Sequence, residues 1–141
     1  MKIQVRTPQI SRNSWVQSYI QNFEKKVSFF QPLQTVFVKN DADLLRSIEP
    51  KDWVIACDER GKRPTSREFA LDLQKILESG KAKLHFIVGG PFGLNPEVKQ
   101  RADQTLSLSH FVFNQELALA VLYEQIFRGL SILNNHPYHN D

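Results

Sequence analysis

Phe86-Ile87-Val88-Gly89-Gly90-Pro91-Phe92-Gly93-Leu94 is the stretch that decides how this chain is read. A β-branched apolar run stops at two glycines, a proline and a third glycine. Lys83 to Val88 therefore reads as a buried strand, and Asn95-Pro96 opens a helix with an N-cap followed by proline at its first position. Paired glycines let a ligand press against bare backbone, and Pro91 restricts the exit from the strand. Ligands of open α/β sheets bind beyond the carboxyl ends of the strands, where this loop would lie. The same residues would equally make a plain tight turn.

Upstream, Lys2 to Arg6 alternates as a first strand, and Ser11 to Phe30 carries Trp15, Tyr19, Ile20, Phe23, Val27 and Phe30 at helical spacing. Leu33 to Lys39 is a second strand. Asn40 or Asp41 then caps a short helix containing Leu44, Leu45 and Ile48, which Pro50 ends. Asp52 to Cys57 is a third, doubly buried strand, with Asp58 to Lys62 as a polar loop after it. Thr65 and Glu68 form a capping box for a helix bearing Phe69, Leu73, Ile76 and Leu77, with Gly80 as its C-cap. Downstream lie a helix over Asn95 to Ala102, a fifth strand over Thr105 to Ser109, and a long apolar helix from Asn114 to Leu133. Strands alternating with helices predict one α/β domain over residues 1–141, a mainly parallel sheet flanked by helices.

A chain of 141 residues, 41% hydrophobic and 23% charged, can bury one core. Its net charge of +3 permits a polyanionic partner without demanding one. The single cysteine, Cys57, excludes an internal disulfide framework and fits a reducing cytosol. No apolar run near the start resembles a secretory signal and none is long enough to span a bilayer, so a cytoplasmic protein is expected.

A dinucleotide-binding GxGxxG after the first strand is absent, as is a Walker A sequence. His136 and His139 lack a nearby third ligand, so no metal is expected. Cys57, ending a buried strand, reads as an inert thiol in preference to a nucleophile. The loops after Cys57, at Gly89 to Leu94 and after Ser109 all follow parallel strands and should open on one sheet edge. That predicts a pocket built largely of backbone, suited to a nucleoside-like ligand. Glu124 and Arg128, four apart on an apolar helix, read either as a helix-stabilising ion pair or as part of a site or interface.

Several pieces together resemble a known family: ACDERGK at 56–62, SREFA at 66–70, VGGPFGL at 88–94, Ala102-Asp103, LSLS at 106–109, YEQIFRG at 123–129 and PYH at 137–139. In this order and spacing they are similar to the RlmH-type rRNA methyltransferases of the SPOUT superfamily. The resemblance implies methylation of N3 of a pseudouridine in large-subunit rRNA, on assembled ribosomes. It further implies S-adenosylmethionine as methyl donor without a metal, a homodimer, and a C-terminal trefoil knot. By position it carries cofactor binding to Cys57, to Gly89, Gly90 and Gly93, and to Ser109, His110, Phe111, Val112, Phe113 and Asn114. It carries catalysis to Arg128, Tyr138 and His139, with His139 or a water it orients assisting proton removal. Two positions depart from the family pattern: Asn114-Gln115 stands where Pro-His is usual, and Leu119 where an arginine is usual. Two other readings follow. One is a non-catalytic ribosome- or RNA-binding relative that keeps the cofactor pocket. The other is a small α/β enzyme acting on a soluble nucleotide-like metabolite.

Overall fold

The computed structural model describes residues 1–140. Five strands, β1 (Lys2–Pro8), β2 (Leu33–Val38), β3 (Trp53–Lys62), β4 (Lys83–Ile87) and β5 (Gln104–Leu106), form one sheet in the order β2-β1-β4-β3-β5, every pair parallel. Helices α1 (Val16–Ser28), α2 (Ser66–Leu77) and α4 (Gln115–Leu133) cover one face, and the short α3 (Pro96–Arg101) lies on the other. The larger core joins Ile3, Val5 and Phe86 of the sheet to Ile20, Leu73 and Ile126 of the three helices. The smaller joins Val54, Ala56 and Ile87 to Leu44 and Val98.

Local signals set several boundaries. Thr65 and Glu68 make the reciprocal capping box, with Glu68 N–H donating to Thr65 Oγ1 at 3.1 Å and Thr65 N–H to Glu68 Oε1 at 2.8 Å. Asn95 caps α3 by accepting from Val98 N–H at 2.9 Å, with Pro96 at the first helical position. The first helix begins at Val16, later than the expected Ser11, and α2 ends at Leu77 with Glu78, not the expected Gly80, as its C-cap; Gly80 turns left-handed two residues on.

Three expectations are corrected. The short helix around Leu44 and Ile48 is only a 3-10 turn, Asp41–Asp43. Buried Arg6 takes the carbonyls that a helix there would need, donating to Leu44 O at 2.7 Å, Arg46 O at 2.7 Å and Asp43 O at 3.3 Å. Residues 58–62, expected as a loop, continue β3 through a bulge, and both Cys57 and Lys62 lie opposite Leu106. Gly61 permits this, because a Cβ there would stand 2.6 Å from the Thr105 backbone. The fifth strand stops at Leu106 instead of Ser109; Ser107 folds onto the Ser109 carbonyl at 2.8 Å and the chain turns away.

On the α3 face, His85 Nε2 meets Asp52 Oδ2 at 3.0 Å, both side chains buried. Burial holds the imidazole below its ordinary range, against the pull of Asp52. For Asp52, burial is outweighed by hydrogen bonds from His85 and the Glu49 backbone, which lower its pKa. The pair is thus a neutral imidazole donating to a carboxylate. A depressed histidine pKa contributes stability that is fully present above about 6.5 and is lost as pH falls below it. The urea midpoint should therefore drop between pH 7.5 and 5.5. His85→Gln, which keeps a donor and does not titrate, should show a smaller drop; an equal drop would assign the effect elsewhere.

Candidate functional site

After β5, at the edge of the sheet, residues 107–114 cross the carboxyl ends of the neighbouring strands to reach β1. There Gln115, the first residue of α4, donates to Thr7 Oγ1 at 2.9 Å and to Pro8 O at 2.7 Å. Ser14 adds a bond to Glu116 Oε2 at 2.7 Å, and Asn114 caps the helix by accepting from Leu117 N–H at 2.9 Å. This crossing segment, the end of β3 and the glycine loop enclose a cleft of about 360 Å³.

The glycine loop is a tight turn and a wall of the cleft at once. Gly93 N–H donates to Gly90 O at 3.0 Å, with Pro91 and Phe92 at the corner. Gly89 lies so close to the far arm that a Cβ would stand 2.8 Å from the Gly93 carbonyl group. Bare backbone is therefore required here and faces the cavity from both arms.

Of the residues expected at the cofactor, Cys57, Gly89, Gly90, Gly93, Ser109, Phe111, Val112 and Phe113 line the cleft; His110 and Asn114 do not. Leu94, Leu106, Leu108 and Ala118 supply apolar surface. Burial pushes the Cys57 thiol up to about 12, so it stays protonated and is no nucleophile near neutral pH. Asp58, Arg60, Lys99 and Gln115 also line the cleft without having been assigned a role from sequence, although the segment after Cys57 was expected to open on it. The first two were placed in a loop, and nothing in sequence brings Lys99 of α3 to the end of β3.

Arg128, Tyr138 and His139 come together, though not at the cleft. Arg128 grips Glu124 through Nε at 3.1 Å and Nη2 at 2.8 Å, lies 4.9 Å from the Tyr138 ring centre, and approaches His139 Nδ1 at 2.9 Å through Nη1. Tyr138 donates to Glu124 Oε2 at 3.2 Å. An arginine can only donate, so Nδ1 accepts and the ring's proton sits on Nε2 in this contact. Hydrogen bonds to Glu124 raise the Arg128 pKa, and burial raises that of Tyr138, keeping the phenol neutral. Thirteen helical steps separate Arg128 from Gln115, a span of about 20 Å. The trio therefore does not line this cleft.

The two positions that depart from the family pattern have structural work. Gln115 ties the helix start to β1, and Leu119 is completely buried in the larger core. Among the described residues, no cluster of three His, Cys, Asp or Glu could hold a metal, and no helix is long and apolar enough to cross a membrane.

A family model described as a predicted SPOUT methyltransferase matches residues 1–139. A ribosomal RNA large subunit methyltransferase H from Bdellovibrio bacteriovorus is 36% identical, the match covering 92% of this chain and 93% of the relative. The protein of that name from Trichlorobacter lovleyi is 31% identical, over 99% of this chain and 100% of its own. Among solved structures, a probable methylase family protein from Haemophilus influenzae superposes with TM-score 0.59 at 12% identity, covering 99% of this chain and 70% of the other. A ribosomal RNA small subunit methyltransferase E from Neisseria gonorrhoeae, bound to S-adenosyl methionine, gives 0.55 at 12% identity over 94% and 66%. These last two likenesses concern the fold.

Gly89→Ala should destabilise the protein by about 1–3 kcal/mol, the usual cost of forcing a methyl into packed backbone. Gly90→Ala, whose Cβ would meet only the Pro8 ring at 3.4 Å, should cost less. Urea unfolding of both variants checks the order, and equal stabilities would show that the loop's two arms can part freely.

Proposed function

This chain belongs to the SPOUT methyltransferase family, and on that premise we propose that it transfers a methyl group from S-adenosylmethionine to large-subunit ribosomal RNA in the cytoplasm. The carrying observation is the cleft: the crossing segment, the bulged end of β3 and the glycine loop enclose a backbone-rich cavity of about 360 Å³ at the carboxyl edge of a parallel sheet, within the usual range for small-ligand sites. The family motifs run along its walls, from Cys57 through Gly89, Gly90 and Gly93 to Ser109 and Phe113. The passage of residues 107–114 over the strand ends, with α4 packed against both α1 and α2, supports the family's trefoil knot.

When bound, the cofactor supplies an electrophilic methyl on a sulfonium. The chain's part is to hold the acceptor nitrogen in line with it, and fixing two reactants in attack geometry can lower a barrier by roughly 7–11 kcal/mol. Cys57, kept as a neutral thiol, walls the cleft without forming a covalent link. The acceptor is N3 of a pseudouridine on an assembled ribosome, and its proton must leave. With Nδ1 engaged by Arg128, His139 assists that removal by hydrogen-bonding the developing anion or by orienting the water that takes the proton. Arg128 and Glu124 orient that ring, and Tyr138 braces the cluster.

Because the cluster is remote from its own cleft, it acts in the cleft of a second copy, in a homodimer. Apolar side chains by the cleft support such a contact: Phe92 is 98% exposed, Phe111 79% and Val112 75%. The alternative, an RNA-binding relative without turnover, is motivated by the structural roles of Gln115 and Leu119.

Labelled S-adenosylmethionine should methylate one pseudouridine in ribosomes from a strain lacking the modification. His139→Ala should slow single turnover by about a hundredfold, the scale for loss of a charge-stabilising donor; an unchanged rate removes His139 from the chemistry. Cofactor binding without incorporation would favour the binding-only relative.

A further inference from the structure

Beside the cleft, one carboxylate gathers two cations from different parts of the chain. Asp58, on the β3 extension, has a side chain only 9% exposed. Arg60 meets it in a fork, Nε to Oδ1 at 3.3 Å and Nη2 to Oδ2 at 3.2 Å, while Arg60 N–H also donates to Oδ1 at 2.9 Å. From α3, Lys99 Nζ reaches Oδ2 at 3.6 Å. The hydrogen bonds from Arg60, against burial, hold the Asp58 carboxyl below its usual range, so it stays ionised. All three residues line the cleft.

Such exposed ion pairs contribute little to stability. Their geometry does something else. The fork fixes the guanidinium plane with its Nη1 edge turned away from Asp58, and the carboxylate leaves one surplus positive charge between two cations. The Arg60 and Lys99 side chains remain 71% and 42% exposed. A guanidinium already ordered by one carboxylate loses little freedom when its free edge binds an oxyanion. Glu59 also lines the cleft and cancels that surplus, but Lys62 and Arg63 follow in the chain, both exposed, so residues 58–63 together with Lys99 carry four cations against two carboxylates. A net positive arm with exposed cations beside the cavity fits a phosphate chain better than a single carboxylate inside it.

We infer that Arg60 and Lys99, positioned by Asp58, bind a backbone phosphodiester of the RNA next to the nucleotide entering the cleft. This rests on the rRNA reading above and gives substrate recognition to charged lining residues that the cofactor assignment does not use. Arg60 and Lys99 are binding residues here, and Asp58 is a positioning residue.

The test compares the full chain with Arg60→Ala/Lys99→Ala and with the milder Arg60→Gln. It measures binding of large ribosomal subunits at several salt concentrations, S-adenosylmethionine affinity by calorimetry, and methyl transfer. The double variant should bind subunits at least about tenfold more weakly, with the log–log salt slope reduced by about 1, the value for one phosphate contact. Cofactor affinity should not change, and Asp58→Asn should give a smaller loss of RNA binding. Lost cofactor affinity with unchanged subunit binding would overturn the inference by assigning the cations to the cofactor's carboxylate. Unchanged subunit binding and salt slope in a wild-type chain that does bind subunits would overturn it alone. A wild-type chain that binds subunits without methylating them overturns only the enzyme reading. One that binds no subunits overturns both.

Discussion

The molecule depends on where α4 begins. Two hydrogen bonds from Gln115 fasten the helix start to the end of β1, although the preceding strand lies at the far edge of the sheet. Each bond is worth only about 1 kcal/mol net, so they fix a path more than they hold the fold. The energy comes afterwards, as Leu119, Leu122, Tyr123, Ile126 and Leu130 enter the core at about 1.5–3 kcal/mol per aliphatic or aromatic side chain. Because the helix must start at β1, residues 107–114 must cross the strand ends. The cleft exists because they do.

Polar groups are treated differently according to their depth. On the α3 face, Arg6 is buried with no carboxylate partner among the described residues and spends its donors on three backbone carbonyls, which shapes the turn at 41–43. His85 and Asp52 are buried as a neutral donor and an ionised acceptor, avoiding the larger cost of two buried charges. Near the surface, Asp58 and Glu124 keep charged partners in ordered but accessible positions. The buried groups set backbone conformation; the accessible ones are available to a ligand or a partner.

Both departures from the family pattern fall on residues with evident structural roles. Leu119 adds apolar volume where a cation would need a partner or water, and Gln115 supplies two donors to β1. Neither alters the glycine loop, whose close approach at Gly89 is set by backbone contact alone. A site walled by main chain tolerates side-chain change because its shape follows the path of the chain.

By itself the sequence determined the alternation of strands and helices, the capping of α2 and α3, the glycine turn and the family, because these rest on local spacing and on residue types within a few positions of one another. The boundaries it missed have nonlocal causes: Arg6 reaches across to the carbonyls around Leu44, and the end of β3 bulges against β5 only because Gly61 meets Thr105. The cleft's charged rim was equally invisible, since Asp58 and Lys99 meet through the packing of α3 on the sheet. Tertiary structure alone decided that Arg128, Tyr138 and His139 gather about 20 Å from the cleft start of their own helix. Helix length fixes that separation, and no motif spacing reports it.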